Sequence, residues 1–204
     1  MKVFKLCLSM AVCASVILGL ASCASGPKVK RVDVNEQIDL SGNWNDTDSR
    51  LVSEEMVKDA VSRTWISDFM MQKQNKPRVI VGTVSNKSHE HISTETFTKD
   101  LERELLNSGK VTFVADKGQR DEVRDEKADQ AENSTKETAK AAQQETGADF
   151  MLKGQINTIL DEAGRSKVKY YQVELEMINI TTNEKIWIGQ KKLKKVVKQP
   201  LIKI

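Results

Sequence analysis

The chain has 204 residues, of which 39% are hydrophobic and 30% are charged, a composition typical of one globular domain with additional segments. Removing residues 1–22, which contain two lysines and no acid, leaves 30 basic against 29 acidic side chains. A nearly neutral chain lacks the basic surplus of a dedicated nucleic-acid-binding protein, so that class of function is excluded.

Residues 1–22 are predicted to be a lipoprotein signal peptide. Two lysines precede the apolar run LCLSMAVCASVILGL, which is too short to indicate a membrane span. The run ends in LASC at residues 20–23, which resembles the lipobox of bacterial lipoproteins. That resemblance implies cleavage before Cys23, a diacylglycerol on its sulfur and an acylated amino group, as in palmitate-bearing anchors. The alternatives are an ordinary secretory signal and a helix with a chance cysteine.

Lipidation at Cys23 would account for every thiol of the mature chain. Cys7 and Cys13 leave with the signal peptide, so no disulfide and no thiol nucleophile is expected. Several acyl chains give stable membrane anchoring where a single chain binds marginally. Residues 23–43 lack sustained periodicity and are predicted to be a tether; about 20 extended residues reach at most ~65–70 Å.

The domain, predicted as residues 44–204, begins with a long amphipathic helix from Asp48 to near Gln72. Its apolar residues recur at helical spacing with no Gly or Pro before Pro77, and the stripe is expected to face the core: Leu51, Val52, Met56, Val61, Trp65, Ile66 and Phe69. The preceding LSGNWNDTDSR lacks the spacing of a calcium loop. We expect Thr47 or Asp48 to cap the helix and Trp44 to pack just before the cap.

The next segments predict strand, helix, strand. RVIVGTV (78–84) and VTFV (111–114) are short β-branched runs typical of buried strands. Between them Ser93 is expected to cap a helix, which should end at Gly109. Residues 116–146 are rich in charge and alanine, and we expect two solvated helices broken near Asn133.

Three further strands complete the predicted sheet. ADFMLKGQINTIL (148–160) follows a helix and is expected to run parallel to the earlier strands. KVKYYQVELEMINI (167–180) alternates apolar with polar residues, which predicts one buried and one wet face, and residues 185–195 form the last strand. The fold class is therefore α/β, a single domain whose mixed sheet of about five strands, in the order β-α-β-α-β-β-β, ends in an antiparallel meander.

Residues suited to catalysis or metal binding are few. His89 and His91 are the only histidines, and their H-x-H spacing could place two ligands on one metal ion. No third histidine or thiolate accompanies them, so we expect a polar surface loop and no metal site. Nucleophile-elbow and phosphate-loop motifs are absent from the sequence, so we predict that the protein is not an enzyme and needs no cofactor.

The last twenty residues carry seven lysines and no acid. One explanation is protection of an outer strand, because lysines discourage edge-to-edge aggregation. The other is attraction to an acidic partner, anionic lipid or glycan carboxylates. The sequence leaves both open.

Five further segments, in order, resemble one protein family: WNDTDS, VGTVSNKSHEHIST, LLNSGKVTFV, ETGADFMLKGQI and NITTNEKIWIGQ. With the lipobox, they are similar to the LpoB-type outer-membrane lipoproteins that activate penicillin-binding proteins. The resemblance covers most of residues 43–193. It implies a domain like the N-terminal domain of TolB that docks on a class A penicillin-binding protein, a peptidoglycan synthase.

The resemblance also assigns positions. The family's Asn-Lys/Arg-Thr/Ser stretch falls on Asn86, Lys87 and Ser88, and the partner-binding surface is expected there together with His89 and His91. Its Gly-Ala-Asp stretch falls on residues 147–149, and its Gly-Glu-x-x-Trp turn on residues 183–187 with Asn183 in place of Gly. We interpret these last two as determinants of the fold before determinants of an interface.

Two features bear on location and on the alternative function. The tether is shorter than in some family members, and Ala24 stands where an Asp would retain some lipoproteins in the inner membrane. The expected location is therefore the outer membrane, with a monomeric domain facing the periplasm. The alternative is a subunit of an envelope assembly similar to the curli-secretion lipoprotein, although no extra pair of long amphipathic hairpin segments is found.

Overall fold

The computed structural model describes residues 29–140 and 145–198. The predicted signal peptide and Cys23 lie outside these ranges. Contacts divide the chain into one unit up to Glu36 and a second from Gln37 onward. Within the described ranges no helix has the length and hydropathy needed to cross a bilayer.

The N-terminal helical segment consists of two helices, α1 (Asp46–Ser62) and α2 (Trp65–Lys73). The prediction of one continuous helix was therefore wrong, because Arg63 adopts an extended conformation with φ −81° and ψ 161°. The break lets Trp65 turn into the core, where its indole N–H donates to the Ala60 carbonyl oxygen at 2.8 Å. The stripe faces the core as expected, except for exposed Leu51.

Helix α1 is capped by Asn45, so the choice of Thr47 or Asp48 as the N-cap was wrong. The Asp48 backbone N–H donates to Asn45 Oδ1 at 3.0 Å, and the Asn45 N–H donates to Asp48 Oδ2 at 3.0 Å. This reciprocal capping box satisfies two donors that the first turn of a helix leaves free. Asp48 therefore contributes as the third helical residue.

The middle of the chain contains β1 (Arg78–Lys87), α3 (Thr94–Asn107), β2 (Thr112–Phe113) and α4 (Lys117–Asn133). Ser93 caps α3, and Gly109 follows its end with a φ of +64°, as predicted. Strand β1 extends three residues beyond the predicted run. Helix α4 ends at Asn133 as expected, but residues 134–140 form turns and not a second helix.

A meander of three long strands ends the domain: β3 (Phe150–Ala163), β4 (Ser166–Asn179) and β5 (Lys185–Lys198). The sheet order is β2-β1-β3-β4-β5, with β1 parallel to β2 and β3 and the last three strands antiparallel. The predicted α/β fold with a mixed five-stranded sheet is confirmed. Strand β5 and the two-residue β2 form the edges of the sheet.

Helices α1, α2 and α3 and one face of the sheet enclose a single core. The alternation predicted for β4 is confirmed, since every second residue from Tyr171 to Met177 is buried. We call the helix-covered face the inner face and the opposite face the outer face. The outer face of β4 is half-buried and that of β5 is largely exposed.

Candidate functional site: the partner loop and the strap

The partner loop (residues 85–91) comprises the last three residues of β1 and the four residues that follow them, and it is held by its own hydrogen bonds. The Asn86 amide donates to the Glu90 carbonyl oxygen at 2.7 Å, and the Ser88 hydroxyl lies 3.0 Å from the same oxygen. The Ser88 N–H donates back to Asn86 Oδ1 at 2.9 Å. Asn86 and Ser88 therefore fix the shape of the loop.

The other predicted binding residues present their side chains to solvent. Lys87, His89 and His91 are exposed. The His89 N–H donates to Thr158 Oγ1 at 3.3 Å, and its ring Nδ1 lies 2.9 Å from the same oxygen. The loop thus exposes one ammonium and two imidazoles to solvent, while its backbone is tied to β3.

Glu90 occupies the centre of a polar cluster that the sequence did not indicate. Its carboxylate accepts hydrogen bonds from the Trp44 backbone N–H at 3.0 Å and from Lys169 Nζ at 2.6 Å. The Tyr171 hydroxyl lies 2.8 Å from Glu90 Oε1 and 2.9 Å from the Gly42 carbonyl oxygen. We call Trp44, Glu90, Lys169 and Tyr171 the Glu90 cluster.

The cluster shifts the titration of its acidic groups. Burial raises the pKa of Glu90, but the hydrogen bonds from Lys169, Trp44 and Tyr171 outweigh it, and the pKa lies below its ordinary value. Burial, followed by the Glu90 carboxylate, raises the pKa of Tyr171 well above that of an ordinary phenol. The carboxylate is thus held charged and the phenol held protonated.

Residues 39–43, which we call the strap, lie against the inner face of the β3–β5 end of the sheet. Gly42 is buried, and a Cβ atom at this position would overlap Val197 Cγ2. Lys169 Nζ donates to Asn43 Oδ1, and Lys195 Nζ donates to the Asn43 carbonyl oxygen at 3.1 Å. The predicted tether boundary at residue 43 stays a prediction, but its last five residues contact the domain.

The strap and the partner loop share the same anchor points. Trp44 packs edge-on against Phe97 and Tyr171, with ring centroids 6.0 and 5.6 Å apart, which confirms the expected packing of this residue before the cap. The strap and the partner loop both line a cleft of about 450 Å³ that lies against β3. Its lining includes His89 of the loop and Leu160 of β3. Hydrogen bonds of Tyr171 to both Gly42 and Glu90 therefore connect the strap with the partner loop.

The lysines of β5 divide by face. On the inner face Lys191 pairs with Glu55 of α1, and Lys195 pairs with Asp48 at 2.5 Å. Lys192 and Lys194 on the outer face, and Lys198 beyond them, are exposed and form no ion pair with any residue of 29–140 or 145–198. Part of the lysine surplus therefore stabilises the fold, and part is free for a partner.

The two other stretches assigned by resemblance have structural roles. The Arg78 N–H donates to Asp149 Oδ2 at 2.9 Å, and the Ile180 N–H donates to the Asp149 carbonyl oxygen at 3.0 Å, which joins β1 to the β4–β5 hairpin. Asn183 has a φ of +61°, the left-handed conformation that a Gly would adopt there. The Trp187 indole N–H donates to Asp59 Oδ2 at 2.8 Å.

Among the described residues, no group of three or more His, Cys, Asp or Glu side chains is arranged to hold a metal ion. Glu90 has a cation and a phenol beside it, but its oxygens are occupied by donors of its own domain. The partner loop thus lies beside a polar cluster whose hydrogen bonds are satisfied within the domain.

Comparison with known proteins assigns the family. The family model described as the peptidoglycan-synthase activator LpoB matches residues 48–193. The chain belongs to the LpoB family. This family consists of regulatory activators and not of catalysts, so membership places the chain in the control of peptidoglycan synthesis.

The solved structures that the chain matches share little sequence identity with it. The LpoB C-terminal domain from Salmonella enterica is 16% identical with a TM-score of 0.39, over 72% of this chain and 99% of that chain. The corresponding domain from Escherichia coli is 14% identical with a TM-score of 0.38, over 70% and 98%. Lipoprotein GNA1162 from Neisseria meningitidis is 12% identical with a TM-score of 0.36, over 59% and 83%. No curated protein sequence matches the chain.

Proposed function

We propose that this protein is an outer-membrane lipoprotein that binds a class A penicillin-binding protein and stimulates its glycan polymerisation and crosslinking. The observation that carries the proposal is the match of the LpoB activator family to residues 48–193, nearly all of the sheet and helices. Cleavage after residue 22 and lipidation of Cys23 would anchor the domain, since the sequence of that region resembles a lipobox. The domain acts by contact and supplies no catalytic group.

The partner loop is the proposed docking surface. Asn86 and Ser88 set its shape, and Lys87, His89 and His91 are the side chains available for contact. A loop whose backbone is tied to the sheet loses little conformational entropy when it binds, which favours affinity. Lys87 would pair with an acidic group of the synthase.

The strap limits how far the domain reaches from its anchor. Residues 39–43 contact the domain, and the second unit begins at Gln37, so residues 23–36 remain as spacer. Fourteen extended residues span at most ~46–50 Å. A synthase in the inner membrane must therefore extend toward the outer membrane, and lengthening the spacer with a flexible insertion before residue 36 should increase activation in cells if reach limits it.

Binding is tested with the full chain in detergent micelles against purified class A penicillin-binding proteins. We expect capture of a synthase, and a loss of affinity of about tenfold for Lys87→Ala/His91→Ala. The matched control is Lys117→Ala/Lys136→Ala, which removes two exposed cations from the α4 region and should leave binding unchanged. Failure of every class A synthase to bind would refute the proposed function. A large ring in a mass measurement would support an assembly subunit in its place.

A further inference from the structure

The outer edge of β5 is a long strand edge with no neighbour in the described part of the chain. The sheet ends at β5, whose fourteen residues far exceed the two residues of β2 at the opposite edge. Half of the N–H and C=O groups of an edge strand point away from its single neighbour and are able to pair with another strand. Such an edge, 185–198, is a template for strand addition.

Two clefts run along this edge beside α1. One, of about 610 Å³, lies between the second half of α1 and residues 187–190. The other, of about 520 Å³, lies between the start of α1, the strap and residues 193–198. The ion pair of Lys191 with Glu55 separates them. A strand laid along β5 would place alternate side chains over these two clefts, since side chains of a strand alternate between faces.

The charges along the edge define the occupant. The acids that line the clefts are bonded within the domain: Glu55 to Lys191, Asp59 to the Trp187 indole and Arg63, and Asp39 and Asp48 to Lys195. The exposed cations Lys58, Lys192, Lys194 and Lys198 form no ion pair within residues 29–140 and 145–198. The exposed charge of the edge that forms no ion pair is therefore positive, although the ammonium of Lys192 also helps to lower the pKa of Glu174 on β4.

We propose that the β5 edge binds an extended acidic segment of the partner protein by strand addition, with backbone pairing to β5 and carboxylates facing Lys192 and Lys194. A second copy of this chain is a poor occupant, because antiparallel pairing of two β5 strands would set lysines against lysines. This inference rests on the proposed function for the identity of the partner, which is the synthase. The strand-addition site itself is tested without the synthase.

The probe is a ten-residue peptide that alternates glutamate with threonine, added to the full chain in detergent micelles. We expect saturable binding and slower amide hydrogen exchange along residues 188–196. A peptide of the same sequence that is N-methylated at every residue keeps the charge but has no backbone N–H donor on either edge, and it should bind at least about tenfold more weakly. Equal binding of the methylated peptide would overturn strand addition.

Charge reversal on β5 tests the second half of the proposal. Lys192→Glu/Lys194→Glu should lower the affinity for the acidic peptide by about tenfold or more and favour a lysine–threonine peptide. The matched control Lys117→Glu/Lys136→Glu changes net charge equally at a distant surface and should behave as the unsubstituted protein. If both variants lose affinity equally, the attraction is general and the β5 site is wrong.

Binding of the synthase to the unsubstituted protein and to Lys192→Glu/Lys194→Glu distinguishes failure of the β5 inference from failure of the proposed function. If the synthase binds and the β5 charge reversal weakens it, both stand. If the synthase binds equally to the variant and the peptide does not bind, the β5 inference falls while the proposed function stands. If no synthase binds, the proposed function falls and the peptide arm alone decides the β5 site. Dimerisation that Lys192→Glu/Lys194→Glu alters would make a second copy the occupant and overturn the inference.

Discussion

The inner and outer faces of β5 carry the same residue type in different environments. Side chains of Lys191 and Lys195 on the inner face are 26% and 16% exposed and bonded to carboxylates, whereas Lys192 and Lys194 on the outer face are exposed. Position along the strand therefore decides whether a lysine stabilises the fold or remains available to a partner. The total of seven lysines does not distinguish the two roles.

The outer face of the sheet is polar and internally satisfied near its centre. The Glu174 carboxylate accepts hydrogen bonds from the amides of Gln155 at 3.0 Å, Gln172 at 2.5 Å and Gln190 at 3.1 Å. These bonds, Gln155 first, lower the pKa of Glu174. On the inner face the polar groups contact the strap and α1 instead. Substitutions on the two faces should therefore lower the free energy of unfolding by different amounts.

The largest contrast is expected between Trp187→Ala and Ile188→Ala. Trp187 is 6% exposed on the inner face, and Ile188 is 61% exposed on the outer face. Truncating the buried indole should lower the free energy of unfolding by about 3–5 kcal/mol, and truncating the exposed side chain should change it by less than about 0.5 kcal/mol. Urea unfolding of both variants measures this difference, and equal losses would show that the faces are not distinct.

A smaller contrast is expected between Lys195→Ala and Lys194→Ala. Removing the Lys195 ammonium leaves Asp48, whose side chain is 9% exposed, without its cation, and this should cost about 1–3 kcal/mol. Lys194 has no such contact within the described residues, so its loss should be within about 0.5 kcal/mol. Thermal melting distinguishes the variants. A loss of stability in Lys194→Ala as large as that in Lys195→Ala would contradict the assignment of these lysines to different faces.

Gly42→Ala tests the contact of the strap with the inner face. The added methyl group would overlap Val197 Cγ2, so the variant should be destabilised by about 1–2 kcal/mol. Val197→Ala removes the overlapping atom, and the double variant should therefore be more stable than the sum of the two single changes predicts. Strict additivity would mean that the strap does not lie on Val197.

The smallest effect is expected for Glu90→Gln, in the way that the free energy of unfolding falls at acidic pH. Because the pKa of Glu90 is lower in the folded protein than its ordinary value of 4.5, its stabilising contribution is complete above that value. The contribution is lost as the pH falls through the folded pKa. Glu90→Gln should therefore lower stability at pH 7 and reduce the fall in stability as the pH drops below the ordinary glutamate pKa of 4.5. Parallel pH profiles for the two proteins would contradict the assigned role.

The sheet could be predicted because its information is local. Alternation in β4 identified the buried face, and Ser93 and Gly109 marked the ends of α3 by their side-chain and backbone chemistry. The N-cap of α1 was missed because neighbouring Asn and Asp side chains all suit that position, although the three-residue spacing of Asn45 and Asp48 was a usable signal. The break at Arg63 had no Gly or Pro to mark it.

Only the part of the site that lies within one continuous segment of the sequence could be predicted. The partner loop could be named from its own residues, but Glu90 was missed because its partners Trp44, Lys169 and Tyr171 lie 46, 79 and 81 positions away. No pattern within the loop reports such contacts. The strap was missed for the same reason, since Gly42 and Val197 meet only when the sheet is complete.

We propose above all that this domain raises the rate of a peptidoglycan synthase. The most direct measurement is the rate of glycan polymerisation by a class A penicillin-binding protein, with and without the full chain in detergent micelles. We expect a faster rate, an undiminished increase with Lys117→Ala/Lys136→Ala, and a reduced increase with Lys87→Ala/His91→Ala. An unchanged rate at concentrations that saturate binding would contradict it.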